Sequence, residues 1–313
     1  MKTAVIFSGQ GSQFAGMGRD LYDNYAVCRD LFDRAEEAAG FPLKSICFDE
    51  DKAETLNNTR FCQASILTLS MAALRLIEEQ YALRPVCTAG LSLGEYTALT
   101  YSGAIGFEDA VKLLRDRGAF MADACEATDG VMSAVMGISE EDAYKTCAEA
   151  STENEPVNVS NINTIGQVVI SGNRLAVERA EAIAKNYGGK RAIRLPVSGA
   201  YHSAYMESAA RKLEECMKNI KFMDMVIPVV SNVNAAIIKS RDSIAATLVK
   251  QICAAVKWAD CVRKMAALEV DTFIEIGPGK ALSGFVKKIL PDVRVFNVQD
   301  TASLVETLRG LEA

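Results

Sequence analysis

The sequence predicts an α/β fold built on a mainly parallel sheet and interrupted by a small βαββαβ unit. Short β-rich apolar segments alternate with helical patterns through most of the 313 residues, the rhythm of strand, crossover helix and parallel strand. Between about Gly130 and Val197 the units become shorter and the order changes. Half of the composition is hydrophobic (50%), enough to fill a core of this size.

Taken in order, Ala4 to Phe7 reads as a strand, and a helix is expected from about Gln13 to Ala39. A long apolar helix follows around Ala64 to Glu79, then a strand from Pro85 to Ala89 and a helix from Glu95 to Tyr101. The inner unit comprises Val131 to Met136, a helix near Glu140 to Ala150, Val157 to Asn161, Gln167 to Ser171, a helix near Leu175 to Tyr187, and Arg191 to Val197. That order predicts a ferredoxin-like subdomain over 127–198, inserted into a large body formed by 1–126 and 199–313.

Composition excludes several classes of function. With 34 basic and 40 acidic residues the net charge is −6, so neither nucleic acid nor an anionic membrane is expected as the main partner. The nine cysteines are scattered and contain no C-x-x-C pair, which reads as small buried hydrophobes in a reducing compartment. A single histidine excludes a His-rich metal site, and no metal is expected. No apolar run reaches the roughly 20 residues of a membrane span, and Thr3 to Phe7 is too short for a signal-peptide core. A cytoplasmic, monomeric enzyme is the expectation.

The chemistry begins at Gly90-Leu91-Ser92-Leu93-Gly94. This G-x-S-x-G follows an apolar segment and precedes a helix, the context of a nucleophile elbow in an α/β-hydrolase-like body. Small residues at both ends allow a tight turn that exposes the Ser92 hydroxyl, while the Leu93 N–H points to where an oxyanion would form. Serine needs a base, and His202 is the one histidine available. It lies between an extended segment and a helical pattern from Ser203 to about Ile220, a placement that favours neutral imidazole. No acidic residue stands where a third triad member is expected, so something other than a carboxylate should orient the histidine.

Arg117 falls on the apolar stripe of a helix predicted over Glu108 to Met121, in line with Leu113 and Met121. A guanidinium turned inward must find an anion: a protein carboxylate, or one carried by a substrate. Gly9-Gln10-Gly11 lacks the third glycine of a dinucleotide fingerprint, and Gly277 to Lys280 lacks the ends of a P-loop. Both are expected to be turns at strand ends, the first able to lend an N–H to an oxyanion hole.

These residues, with Phe7 to Gln13, Gly16-Met17-Gly18, Asn161 to Gly172, Gly199 to His202, Ser231 to Ala235, Gln251 and Glu275 to Lys280, resemble the malonyl-coenzyme A:acyl carrier protein transacylase family almost end to end. The resemblance implies malonyl transfer from malonyl-CoA to an acyl carrier protein in fatty acid synthesis, by a ping-pong cycle without cofactor. It implies Ser92 as nucleophile, His202 as base, and the N–H groups of Gln10 and Leu93 as oxyanion hole. Arg117 and Asn163 become substrate-binding residues, and the Gln251 main chain a support for the histidine. Tyr201, before the histidine, is similar to the family's malonyl-type signature. Leu91 and Ser8 depart from the family's usual histidine and proline, and activity is expected to survive both. Lys287 and Lys288 are candidate contacts for an acidic carrier protein. A trans-acting polyketide acyltransferase, a serine esterase or thioesterase, and a non-catalytic carrier-binding subunit are the alternatives.

Overall fold

The first apolar segment forms β1 (Thr3–Phe7), buried at every residue, in a computed structural model that describes residues 1–312. Along the chain follow β2 (Cys87–Gly90), β3 (Gly130–Met136), β4 (Val157–Thr164), β5 (Gln167–Asn173), β6 (Arg191–Arg194), β7 (Thr272–Ile276) and β8 (Arg294–Val298). They make two sheets. One is parallel, in the order β2-β1-β7-β8; the other is antiparallel, in the order β4-β5-β3-β6.

β1, β2 and β7 are buried throughout, as expected of parallel strands covered on both faces. One cover is the helix Thr59–Gln80, started by the Asn58 side chain accepting from the Arg60 N–H. It is long and apolar enough to cross a membrane, yet 83% of its most apolar window is buried inside the protein, so it serves as a core helix. Against it lies Phe107–Glu126, and a methyl group at Gly118 would come within 2.3 Å of the Thr59 carbonyl oxygen. This close approach sets Arg117 beside Gln63.

The antiparallel sheet alternates its faces. Val131 and Val135 of β3 join a small core with Val159, Ile170, Ala143 and Val177, while Met132 and Ala134 face the main core. A β4 irregularity near Asn161 lets its edge hold a distant segment: Ile162 N donates to Val256 O (2.9 Å) and Val256 N to Ser160 O (2.8 Å). The Asn158 side chain donates to His202 O at 2.9 Å. The antiparallel sheet therefore fastens both the histidine loop and the chain just beyond Gln251.

Several boundaries differ from the sequence reading. The helix expected from Gln13 to Ala39 is two, Arg19–Asn24 and Ala26–Ala39, because Gly16 and Gly18 take positive φ and Tyr25 is extended. The last inner strand stops at Arg194. The helix after the histidine begins as a tight turn, Ala204–Met206, before Glu207–Met217.

The elbow is where the parallel sheet is tightest. A methyl group at Gly94 would lie 2.4 Å from Phe7 O and 2.9 Å from Ser8 O, and one at Gly90 only 2.1 Å from the Gly94 backbone. Gly94→Ala must therefore push the helix Leu93–Tyr101 off β1. We expect urea unfolding to show a loss of about 1–3 kcal/mol; an unchanged midpoint would mean that this contact yields freely.

Candidate active site

Ser92 sits at φ 54° and ψ −104°, a conformation costing a non-glycine residue roughly 1–3 kcal/mol. Asn232 holds it there. Its Oδ1 accepts from the Ser92 N–H at 2.7 Å and its Nδ2 donates to Gly90 O at 2.8 Å, so one side chain spans the turn. A bridge between Thr88 and Val229 extends the parallel sheet beyond β2 and brings Asn232 to this point.

His202 Nε2 lies 2.8 Å from Ser92 Oγ, and its Nδ1 is 2.9 Å from the Gln251 carbonyl oxygen. A carbonyl only accepts, so Nδ1 carries the proton and Nε2 presents its lone pair to the serine. His202 itself is at φ 57°, in a turn held by Asn158. Burial, and then the nearby Arg117 charge, push its pKa down from 6.5 to about 4, against the opposing pull of the Gln251 and Ala254 backbone. Neutral imidazole is the resting form.

Arg117 is 1% exposed. Its Nη1 donates to Gln63 Oε1 (2.5 Å), and its Nη2 to Ser92 Oγ (3.0 Å) and Gln251 Oε1 (3.2 Å), while the guanidinium carbon lies 5.2 Å from the centre of the Tyr96 ring. Among the described residues no carboxylate oxygen comes within 4 Å of it, and its Nε has no partner. Between the two anions considered from sequence, the protein supplies none directly. The serine hydroxyl accepts from Arg117 and donates to His202, which aligns its proton with the Nε2 lone pair.

Gln10 follows β1 across the turn from the elbow; its Oε1 accepts from Thr59 Oγ1 at 3.0 Å. Leu93 opens the helix after Ser92, where a first-turn N–H has no intrahelical acceptor. Asn163 lies on β4, 9% exposed, with its Oδ1 unpartnered; it makes no hydrogen bond to Ser92, His202 or Arg117. Leu91 is half-buried against Gly9. Lys287 Nζ is engaged by the carbonyls of Pro291 and Val293, which leaves Lys288 the freer of that pair. Among the described residues no cluster of three or more His, Cys, Asp or Glu is placed to hold a metal.

Four residues had no role in the sequence reading: Gln63, Glu95, Asn158 and Asn232. Glu95 carried a signal, a lone carboxylate in the otherwise uncharged helix Leu93–Tyr101. The other three are neutral amides, whose patterns resemble those of any buried polar residue.

Residues 4–307 match the model of the acyl transferase domain family. The malonyl CoA-acyl carrier protein transacylase of Bacillus subtilis (strain 168) is 41% identical over 311 residues, 99% of this chain and 98% of the relative. That of Escherichia coli (strain K12) is 39% identical over 305 residues, 97% and 98%. The crystal structure of a protein of the same name from Clostridium perfringens superposes with a TM-score of 0.95 at 41% identity, covering 100% of this chain and 98% of its own. A malonyl-transacylase solved in complex with its type II PKS acyl-carrier protein superposes at 0.94 with 36% identity, covering 99% and 100%.

The depressed histidine pKa has a measurable sign. Because only neutral imidazole can accept the Ser92 proton, labelling of Ser92 by a fluorophosphonate should hold its rate from pH 8 down to about 6 and fall only as pH approaches about 4. Between 4 and 6.5 the unfolded chain binds more protons than the folded one, so acid also erodes stability over that interval. A labelling midpoint near 6.5 would show an ordinary, solvated histidine.

Proposed function

The chain belongs to the acyl transferase domain family, and from that membership and its site geometry we propose that it transfers a malonyl group from malonyl-CoA to the phosphopantetheine thiol of an acyl carrier protein in fatty acid biosynthesis. The observation that carries the proposal is Arg117: a buried cation with amide and hydroxyl partners, one nitrogen 3.0 Å from the nucleophile. A malonyl ester on Ser92 puts its free carboxylate next to that guanidinium, which can release Ser92 Oγ and take two carboxylate oxygens. An acetyl ester leaves the charge unanswered.

In the proposed cycle His202 Nε2 takes the Ser92 proton as Oγ bonds to the thioester carbonyl carbon. The oxyanion is met by the N–H groups of Gln10 and Leu93. As the C–S bond breaks, the proton returns from His202 to the departing coenzyme A thiolate. The carrier thiol then gives its proton to His202, attacks the ester, and Ser92 leaves reprotonated. Nothing in the sequence of bonds changes oxidation state, so no redox cofactor is required. Asn163, its acceptor oxygen unpartnered on β4, would meet the substrate from the antiparallel side.

We read the antiparallel sheet with its two helices as a ferredoxin-like insertion over 127–198, supported by the strand order β4-β5-β3-β6, on a hydrolase-like body. The cleft between them would keep water from the ester. Nine cysteines with no disulfide among the described residues fit a reducing cytoplasm. Transfer to a polyketide carrier is a second reading, favoured by the neighbour solved with a type II PKS carrier protein.

Intact mass after brief incubation with malonyl-CoA tests the proposal. A malonyl adduct should form on the wild type and not on Ser92→Ala, and should be discharged by holo carrier protein; comparing fatty-acid and polyketide carriers separates the two readings. Free malonate accumulating without an adduct would make it a hydrolase instead. Arg117→Ala should slow malonyl loading roughly 100-fold, the scale of losing one partner of a buried charge pair, and acetyl loading far less.

A further inference from the structure

One buried charge beside the site takes no part in that cycle. Glu95 is fully buried in the first turn after the nucleophile, and both of its hydrogen bonds fall on a single oxygen. Oε2 accepts from Gln251 Nε2 at 2.6 Å and from the Asn232 N–H at 3.1 Å, whereas Oε1 has no partner.

The bond to Gln251 settles which way that amide faces. A carboxamide has two donor hydrogens on nitrogen and one acceptor oxygen. Gln251 Nε2 places its hydrogens on Glu95 Oε2 and on Ser92 O, the latter at 3.0 Å, and its oxygen is thereby turned to Arg117 Nη2. The flipped amide would set oxygen against carboxylate oxygen on one side and N–H against guanidinium N–H on the other. Both contacts repel. Burial pushes the Glu95 pKa up to about 7, with the bonds from Gln251 and Asn232 pulling the other way. A proton arriving there goes to the free Oε1, so Oε2 keeps both bonds on either side of neutrality.

We propose that Glu95 is a positioning residue for carboxylate recognition: it locks the Gln251 amide so that a neutral acceptor, neither a second donor nor a carboxylate, faces Arg117. The guanidinium is then held in place with its charge uncancelled. Through the Asn232 N–H, the same oxygen is tied to the side chain that braces Ser92, so clamp and nucleophile share one anchor.

The inference rests on the malonyl-transfer reading, and the test separates the two. Initial rates of acyl-enzyme formation are measured with malonyl-CoA and acetyl-CoA for wild type, Glu95→Ala and Glu95→Gln. Absence of a malonyl adduct on the wild type would defeat the functional reading itself. With the wild type active, Glu95→Ala should lower the malonyl-to-acetyl preference about tenfold, the size of one hydrogen bond to a charged group, mainly through malonyl. Glu95→Gln should restore most of it, because a carboxamide oxygen can stand in for Oε2. If Glu95→Ala does not fold, Gln251→Met removes the same amide while keeping the backbone carbonyl on His202, and the same loss of preference is expected. Equal loss for both thioesters, an unchanged preference, or failure of Glu95→Gln to restore it would overturn the proposal.

Discussion

A guanidinium buried to 1% exposure without a carboxylate in reach sets the terms for everything around it. Removing such a charge from water costs several kcal/mol even after relaxation. Two amide oxygens, one hydroxyl and an aromatic face recover part of that, since each hydrogen bond to a charged group is worth about 1.5–3 kcal/mol. They are all neutral. The remaining deficit is held in the folded state, and an incoming carboxylate can remove it. Had Glu95 reached Arg117 directly, the pair would have been satisfied and the selective force spent within the protein.

Keeping that deficit requires each neutral partner to be fixed from behind. Gln251 is fixed by Glu95 and Ser92 O. On the other side, Gln63 donates from Nε2 to Thr59 Oγ1 (2.9 Å) and to the Met121 sulfur (3.5 Å), and Thr59 in turn donates to Gln10 Oε1. The network runs from the turn after β1, through the clamp, to the elbow brace at Asn232. Its members come from both sides of the parallel sheet's carboxyl edge, and the antiparallel sheet holds the Gln251 and His202 segments through Val256 and Asn158. A shared polar network of this kind rigidifies the site, because moving either Gln251 or Gln63 leaves its partners unpaired.

The legible parts of this arrangement were those with local sequence signatures. Ser92 stood out through flanking glycines that the observed Cβ clashes require, His202 through being alone, and Arg117 through sharing a helical stripe with leucine and methionine. Gln63 and Asn158 left no such trace, and Asn232 lay in the Ser231 to Ala235 segment without an assigned role, since their partners lie 44 to 142 residues away and only the folded chain brings them together. The break at Tyr25 was missed for a different reason: the apolar period runs on through it, and the glycines that delay the start of the first helix lie seven or more residues earlier. Periodicity reports which face is buried, and it is blind to a single extended residue that turns the axis.

On the proposed cycle, the substrate carboxylate also changes the strength of the base. In the free protein, burial comes first and Arg117 second in holding the imidazole near a pKa of about 4, which secures the neutral form but makes it a weak base. Malonyl-CoA already carries its carboxylate, which meets Arg117 before Ser92 attacks and offsets the second of those causes while leaving the first. The histidine that takes the Ser92 proton is therefore more basic than the one in the free protein, and it stays so while the malonyl ester awaits the carrier thiol. That change suits the chemistry, because the serine hydroxyl is a far weaker acid than the carrier thiol and gains most from a stronger base. An acetyl thioester leaves Arg117 unanswered and the histidine at its weakest, so the charge that selects malonyl also weakens the base toward its competitor.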